Sequence, residues 1–139
     1  ITFDWDSVLQ FEGNTGPYLQ YCHARMCGIF RKAAAQGLAT TGGPASTPAT
    51  LADEEWALVL VLRGFGAAVE RAAEGREPHE ISQYLHTLAS AFNAFYNRHT
   101  VIDGTEPLTT GFRLELVGAA RAVLASGLRL LGIRSLELM

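Results

Sequence analysis

The sequence predicts an all-α fold, a bundle of four to five helices. Three observations carry this. Apolar residues recur at three- and four-residue spacing through long stretches, the signature of helices with one buried face. Proline, acids and glycine stand where those stretches begin and end. The one apolar run that would suit a buried strand has no apparent partner strand.

Residues 1–14 hold Phe3, Trp5 and Phe11 and read as a connector that packs on the domain; residues 15–139 are the helical domain itself. Thr15 can cap a helix whose first turn contains Pro17. Leu19, Cys22, Met26, Ile29, Phe30 and Ala33 then form its apolar stripe, and Gly37 is a plausible stop. Residues 37–50, "GLATTGGPASTPAT", carry no charge and read as a flexible surface loop. Asp53, Glu54 and Glu55 sit where the positive end of a helix favours acids, so the following "WALVLVL" is read as helix. Gly64 and Gly66 break or kink it before a short helix, Ala67 to Ala73, and "EGREP" is a turn. Pro78 opens a helix to about Thr100, with Ile81, Leu85, Leu88, Ala89, Phe92 and Phe95 or Tyr96 on one stripe. After the loop "DGTEP", the last helix carries the stripe Leu114, Val117, Ala120, Val123, Leu124, Leu128 and Leu131, and Gly132 ends it.

The chain has 139 residues, enough for one domain with a real core. Apolar residues make up 48% and charged residues 18%, a globular balance. The longest apolar run, Trp56 to Leu62, is far short of the roughly 20 residues a membrane span needs, so no membrane partner is expected. The chain begins on Ile1 and is read as a piece of a longer protein. Cys22 and Cys27 are five apart on one helix, about 7.5 Å along its axis, too far to bridge. Reduced, inert cysteines fit a cytoplasmic protein. A net charge of −3 argues against a generic nucleic-acid binder but leaves room for a local basic face. Ten of the eleven basic residues are Arg, the side chain of planar and stacking contacts, although coding bias produces the same pattern.

No enzyme motif is present, neither a phosphate-binding glycine loop nor a nucleophile elbow. His79 and His86 share a helix face, but a metal site would want further ligands nearby, and His23 and His99 stand alone as surface or capping histidines. No metal or cofactor is expected in this piece. One cluster is different. Tyr18, Gln20, Tyr21 and Arg25 crowd the first helix, and Tyr96, Asn97 and Arg98 end the fourth. Tyr21 and Arg25 are four apart and share a face. These tyrosines are either core-edge residues with hydroxyls in water or a platform on which unstacked bases lie.

"FEGNTGPYLQYCHAR" resembles the segment of arginyl-tRNA synthetases that leads from the catalytic domain into the anticodon-binding domain. "YLHTLASAFNAFYN" and "RLELVGAARAVLASGLRLLGI" are similar to the family's last two long helices. The Asp-Ala-Leu-Arg string after which that domain type is named reads Gly118, Ala119, Ala120, Arg121 here, and the tail "SLELM" lacks a common proline. The resemblance implies an all-α anticodon-binding domain of the class I synthetase type. Its partners would be the anticodon loop of an arginine tRNA and the catalytic domain of the same parent chain, in a monomer. Carried over by position, Tyr21, Arg25, Tyr96 and Met139 surround the central anticodon base, with Gln20 and Asn97 as further candidates; Thr100 replaces a frequent aromatic. ATP would bind only to the parent's catalytic domain, whose two ATP-handling motifs are not in this sequence. Two alternatives stay open: the anticodon bundle of another class I synthetase, and a helical protein-interaction domain without RNA binding, which would show an apolar patch where Tyr21, Arg25 and Tyr96 meet.

Overall fold

The computed structural model describes residues 15–38, 48 and 50–139. Among these residues it contains five helices: α1 (Gly16–Ala35), α2 (Asp53–Arg63), α3 (Phe65–Gly75), α4 (His79–Arg98) and α5 (Pro107–Leu130). The all-α expectation therefore holds. The expected connector over 1–14 and most of the expected flexible loop, 39–47 and 49, lie outside the described residues.

Local chemistry explains the boundaries. The Thr15 hydroxyl accepts the Tyr18 N–H at 3.3 Å and caps α1. Gly37 takes φ +70 just beyond the helix, a conformation that glycine adopts without strain. The Glu55 carboxylate turns back to accept the Ala52 N–H at 2.9 Å at the start of α2. "WALVLVL" is helical, and the break after it comes at Gly64 alone, since Gly66 lies inside α3. Tyr84 of α4 donates its hydroxyl to the Val61 carbonyl at 2.9 Å, alongside the Gly64 N–H on the same oxygen, and so ties α4 to the end of α2. The fourth helix closes two residues earlier than expected, at Arg98, with His99 as its cap.

Helix α4 is central, meeting α2, α3 and α5 along its length and α1 more sparingly. Its Leu85, Leu88, Ala89, Phe92 and Phe95 are fully buried. They meet Leu19 and Met26 of α1, Leu58 of α2, and Val117, Leu124 and Leu128 of α5 in one core. Each large apolar side chain removed from water there contributes about 1.5–3 kcal/mol. Gly127 lets α5 lie against α4, because a Cβ at that position would run into the Leu85 side chain. Trp56 and Leu60 of α2 are exposed, so the apolar run there is not a core strand in disguise.

A polar knot ties the ends of three helices together. Arg113 of α5 donates from Nε to the Glu55 carboxylate at 2.6 Å and from Nη1 to the Thr100 carbonyl at 2.9 Å. His99 bonds Glu54 at 3.0 Å from its other side. That bond is the main reason the Glu54 carboxyl is held below its ordinary range. Glu55 itself is buried.

Candidate functional site

Helix α1 presents three faces, because successive residues step by about 100° around a helix axis. Leu19, Cys22, Met26 and Ala33 face the core. Burial pushes the Cys22 thiol up to about 12, so it stays protonated and unreactive. A second face carries Gln20, His23 and Arg31. A third carries Tyr21, Arg25 and Lys32, and it looks across to the end of α4.

On this third face a shallow cleft of about 300 Å³ opens. Tyr21, Arg25, Arg31, Lys32, Tyr96 and Met139 line it. Four of the six candidates from the sequence thus meet in one place. The Arg25 guanidinium carbon lies 4.9 Å from the Tyr21 ring centre and 5.5 Å from that of Tyr96, between the two aromatics. Tyr21 is 41% exposed and Tyr96 38%, so both rings keep open surface. The remaining two candidates stand elsewhere. Gln20 donates from its amide to the Arg134 carbonyl at 2.8 Å, on the second face of α1. Asn97 is exposed on α4, one helical step from Tyr96, and is not among the lining residues.

The guanidinium is held before any ligand arrives. Arg25 donates to the Asn93 amide oxygen at 3.2 Å and to the Tyr21 hydroxyl at 3.0 Å. Asn93 in turn donates to the Tyr18 hydroxyl at 2.8 Å. Tyr18 lies parallel to His86, with ring centres 6.0 Å apart. Asn93 is the residue that sequence reasoning missed, since an asparagine on a helix gives no sign of a partner 68 residues away. His79 and His86, expected on one face, do not act together. His79 is exposed beside Glu77 and Glu80, whereas His86 is half-buried.

Burial lowers the His86 pKa below its ordinary value, and Nδ1 is buried without a hydrogen-bond partner. The folded ring is therefore neutral where the unfolded one is charged. As pH falls through the ordinary histidine value, near 6.5, the unfolded chain takes up a proton that the folded chain refuses. Stability should fall over that window and level off below the folded pKa. His86→Phe keeps a ring against Tyr18 and removes the proton site, so its melting temperature should fall less than the wild type's between pH 7.5 and 5.5. Parallel curves in calorimetry would show that His86 contributes nothing.

Chemically, the cleft offers two ring faces, three cationic side chains and a directed fork of N–H donors. Among the described residues, none that lines it has an acidic side chain. A locally basic, aromatic surface thus sits on a chain of net charge −3. An adjoining hollow bounded by Ile29, Lys32, Tyr96, His99 and Thr100 extends it past Tyr96. Among the described residues no helix is long and apolar enough to cross a membrane.

Comparison with known proteins gives a consistent result. Residues 19–139 match the family described as the DALR anticodon binding domain. The chain is 43% identical over 141 residues to an arginine–tRNA ligase of Exiguobacterium sp. (strain AT1b), covering all of this chain and 23% of that protein. It is 42% identical over 142 residues to that of Thermococcus kodakarensis, covering all of this chain and 22% of the relative. Among solved structures, arginyl-tRNA synthetase of Thermus thermophilus superposes with a TM-score of 0.85 at 43% identity, over 99% of this chain and 23% of that one. The chain therefore spans about a quarter of the length of the relatives it matches.

Proposed function

Because the chain belongs to the DALR anticodon binding domain family, we propose that it recognises the anticodon loop of arginine tRNA for an arginine–tRNA ligase. The observation that carries this is the Arg25 guanidinium held between Tyr21 and Tyr96, in a cleft where no described lining residue has an acidic side chain.

The chemistry matches the base to be read. Every arginine codon has G at its centre, so the anticodon has C there. An unpaired cytosine presents two adjacent acceptors, O2 and N3, and an exocyclic amine donor. A guanidinium can donate to both acceptors in parallel. Uracil carries a hydrogen on N3, which would meet a donor with a donor. The open faces of Tyr21 and Tyr96 give the base a stacking platform. Lys32 and Arg31 suit the flanking phosphates, so binding should weaken with salt, by a log–log slope of about 0.7 per phosphate contact. The hollow past Tyr96 gives the loop room to continue. Where a protein-interaction domain would show only an apolar patch, the element shared by Tyr21 and Tyr96 is the Arg25 cation. The ATP-dependent joining of arginine to tRNA belongs, on this reading, to the rest of the parent chain.

The test is binding of the chain to an arginine anticodon stem-loop, with its central C changed to U as control, at fixed moderate salt. Tighter binding to C is expected. Tyr96→Ala should weaken it by about 1–3 kcal/mol, the worth of one base stacked on an aromatic. Equal, salt-sensitive binding to both loops would mean that the cleft grips phosphates without reading the base.

A further inference from the structure

We infer that the segment after α5 is a fixed wall of this cleft, and that His23 and Gln20 are the positioning residues that seat it. The inference deepens the anticodon reading and rests on it. Residues 133–139 have no helical ladder of their own, so their carbonyls are free to accept from other elements. Three side chains of α1 donate to them. Gln20 donates to the Arg134 carbonyl at 2.8 Å, the His23 ring bonds the Leu136 carbonyl at 2.7 Å, and Arg31 donates to the Glu137 carbonyl at 2.9 Å. The order along α1 is the order along the segment, so the segment runs beside the helix in the same direction. Its start is fixed by the Ile133 N–H on the Leu128 carbonyl at 2.9 Å.

His23 makes the central bond of the three. It is 5% exposed, and its Nδ1 points at an oxygen that can only accept. A bond to that oxygen needs the proton on Nδ1, which also lies 3.7 Å from the Cys27 sulfur, and in that tautomer the ring is a donor to the segment. Two residues beyond the last held carbonyl, Met139 enters the cleft beside Tyr21, Arg25 and Tyr96. Two residues reach at most about 7 Å, so the hold on Glu137 sets where Met139 can stand. Neither His23 nor Gln20 lines the cleft. Their effect on a bound base passes through the segment, which narrows the cleft and holds water off the edge contacts.

The experiment has two arms on the same proteins: wild type, His23→Ala, His23→Gln and Gln20→Ala. Amide hydrogen exchange over residues 134–139 reads the seating without RNA, and the ratio of affinities for the C and U stem-loops reads discrimination. Arg31 is left out, because it lines the cleft and would change binding directly. Both alanine variants should speed exchange and lower the C-to-U ratio about threefold to tenfold, the weight of one net hydrogen bond. His23→Gln, which keeps an N–H donor, should recover part of both. Gln20 is peripheral, so its variant keeps the test alive if loss of the buried histidine unfolds the chain. Unchanged exchange would overturn the seating. Faster exchange with an unchanged ratio would overturn the role in discrimination. A wild type that binds C and U alike would sink the anticodon reading and the discrimination role with it, while the exchange arm would still decide whether these residues hold the segment.

Discussion

Arg113→Ala should lower folding stability by about 3 kcal/mol, the lower end of the range for breaking a buried ion pair. The loss comes from what stays behind. Glu55 is buried, its pairing with Arg113 is 2.6 Å long, and no other side-chain cation is bonded to it. The Thr100 carbonyl loses its donor in the same change. For a domain of this size the melting temperature should fall by roughly 10 °C. A second variant separates pairing from packing. Arg113→Met combined with Glu55→Leu removes both charges and fills similar volume, so it should recover much of the loss. Recovery should be incomplete, since Glu55 also accepts the Ala52 N–H. Urea unfolding of the single and double variants measures both. A single variant within about 1 kcal/mol of wild type would mean that the pair behaves like an exposed one.

Arg25→Lys should abolish most of the discrimination between cytosine and uracil while leaving much of the salt-dependent binding. Lysine keeps the positive charge that faces phosphates but lacks the planar fork that meets two acceptors at once. The expected loss for the cytosine loop is about 1–3 kcal/mol, the worth of one bidentate base contact. The uracil loop should bind almost as before. Asn93 and Tyr21, which hold the guanidinium at 3.2 and 3.0 Å, would then be left to find other donors. Fluorescence anisotropy with both loops across a salt series reads the two effects separately. An unchanged ratio would show that another group reads the base.

The fold was legible where its signals are local. Thr15, Pro17, the acids at 53–55 and Pro78 each act within one helical turn, and each marks a helix start close to where one occurs. The spacing of Leu85, Leu88, Phe92 and Phe95 named the core face of α4 because burial follows period once the element is a helix. The cleft was half legible. Tyr21 and Arg25 share a face by spacing alone, but their meeting with Tyr96 and Met139 was expected from resemblance and not from period. What sequence reasoning missed depends on distant partners. Glu55 read as an acid facing a helix dipole and is also half of a buried pair with a residue 58 positions away. His23 read as a surface or capping histidine and is buried against a segment 113 positions away. Gln20 was grouped with the base readers by proximity in sequence, although one helical step turns it toward that segment instead. No short-range pattern encodes such pairs.

The long reach of the α1 contacts also orders events in time. The three carbonyls held by α1 lie 106 to 114 residues downstream of their donors, beyond every helix of the bundle. Closing a loop of that length is slow relative to forming helices, and it gains nothing until both ends have a surface to meet. During synthesis, α1 leaves the ribosome before the other four helices and must wait for the whole bundle before its second face is covered. A chain whose bundle has closed but whose residues 133–139 are not yet seated would already display Tyr21, Arg25 and Tyr96, yet would lack the wall that completes the cleft. Within this domain, the cleft should therefore be completed after the core has collapsed, as a step separate in time.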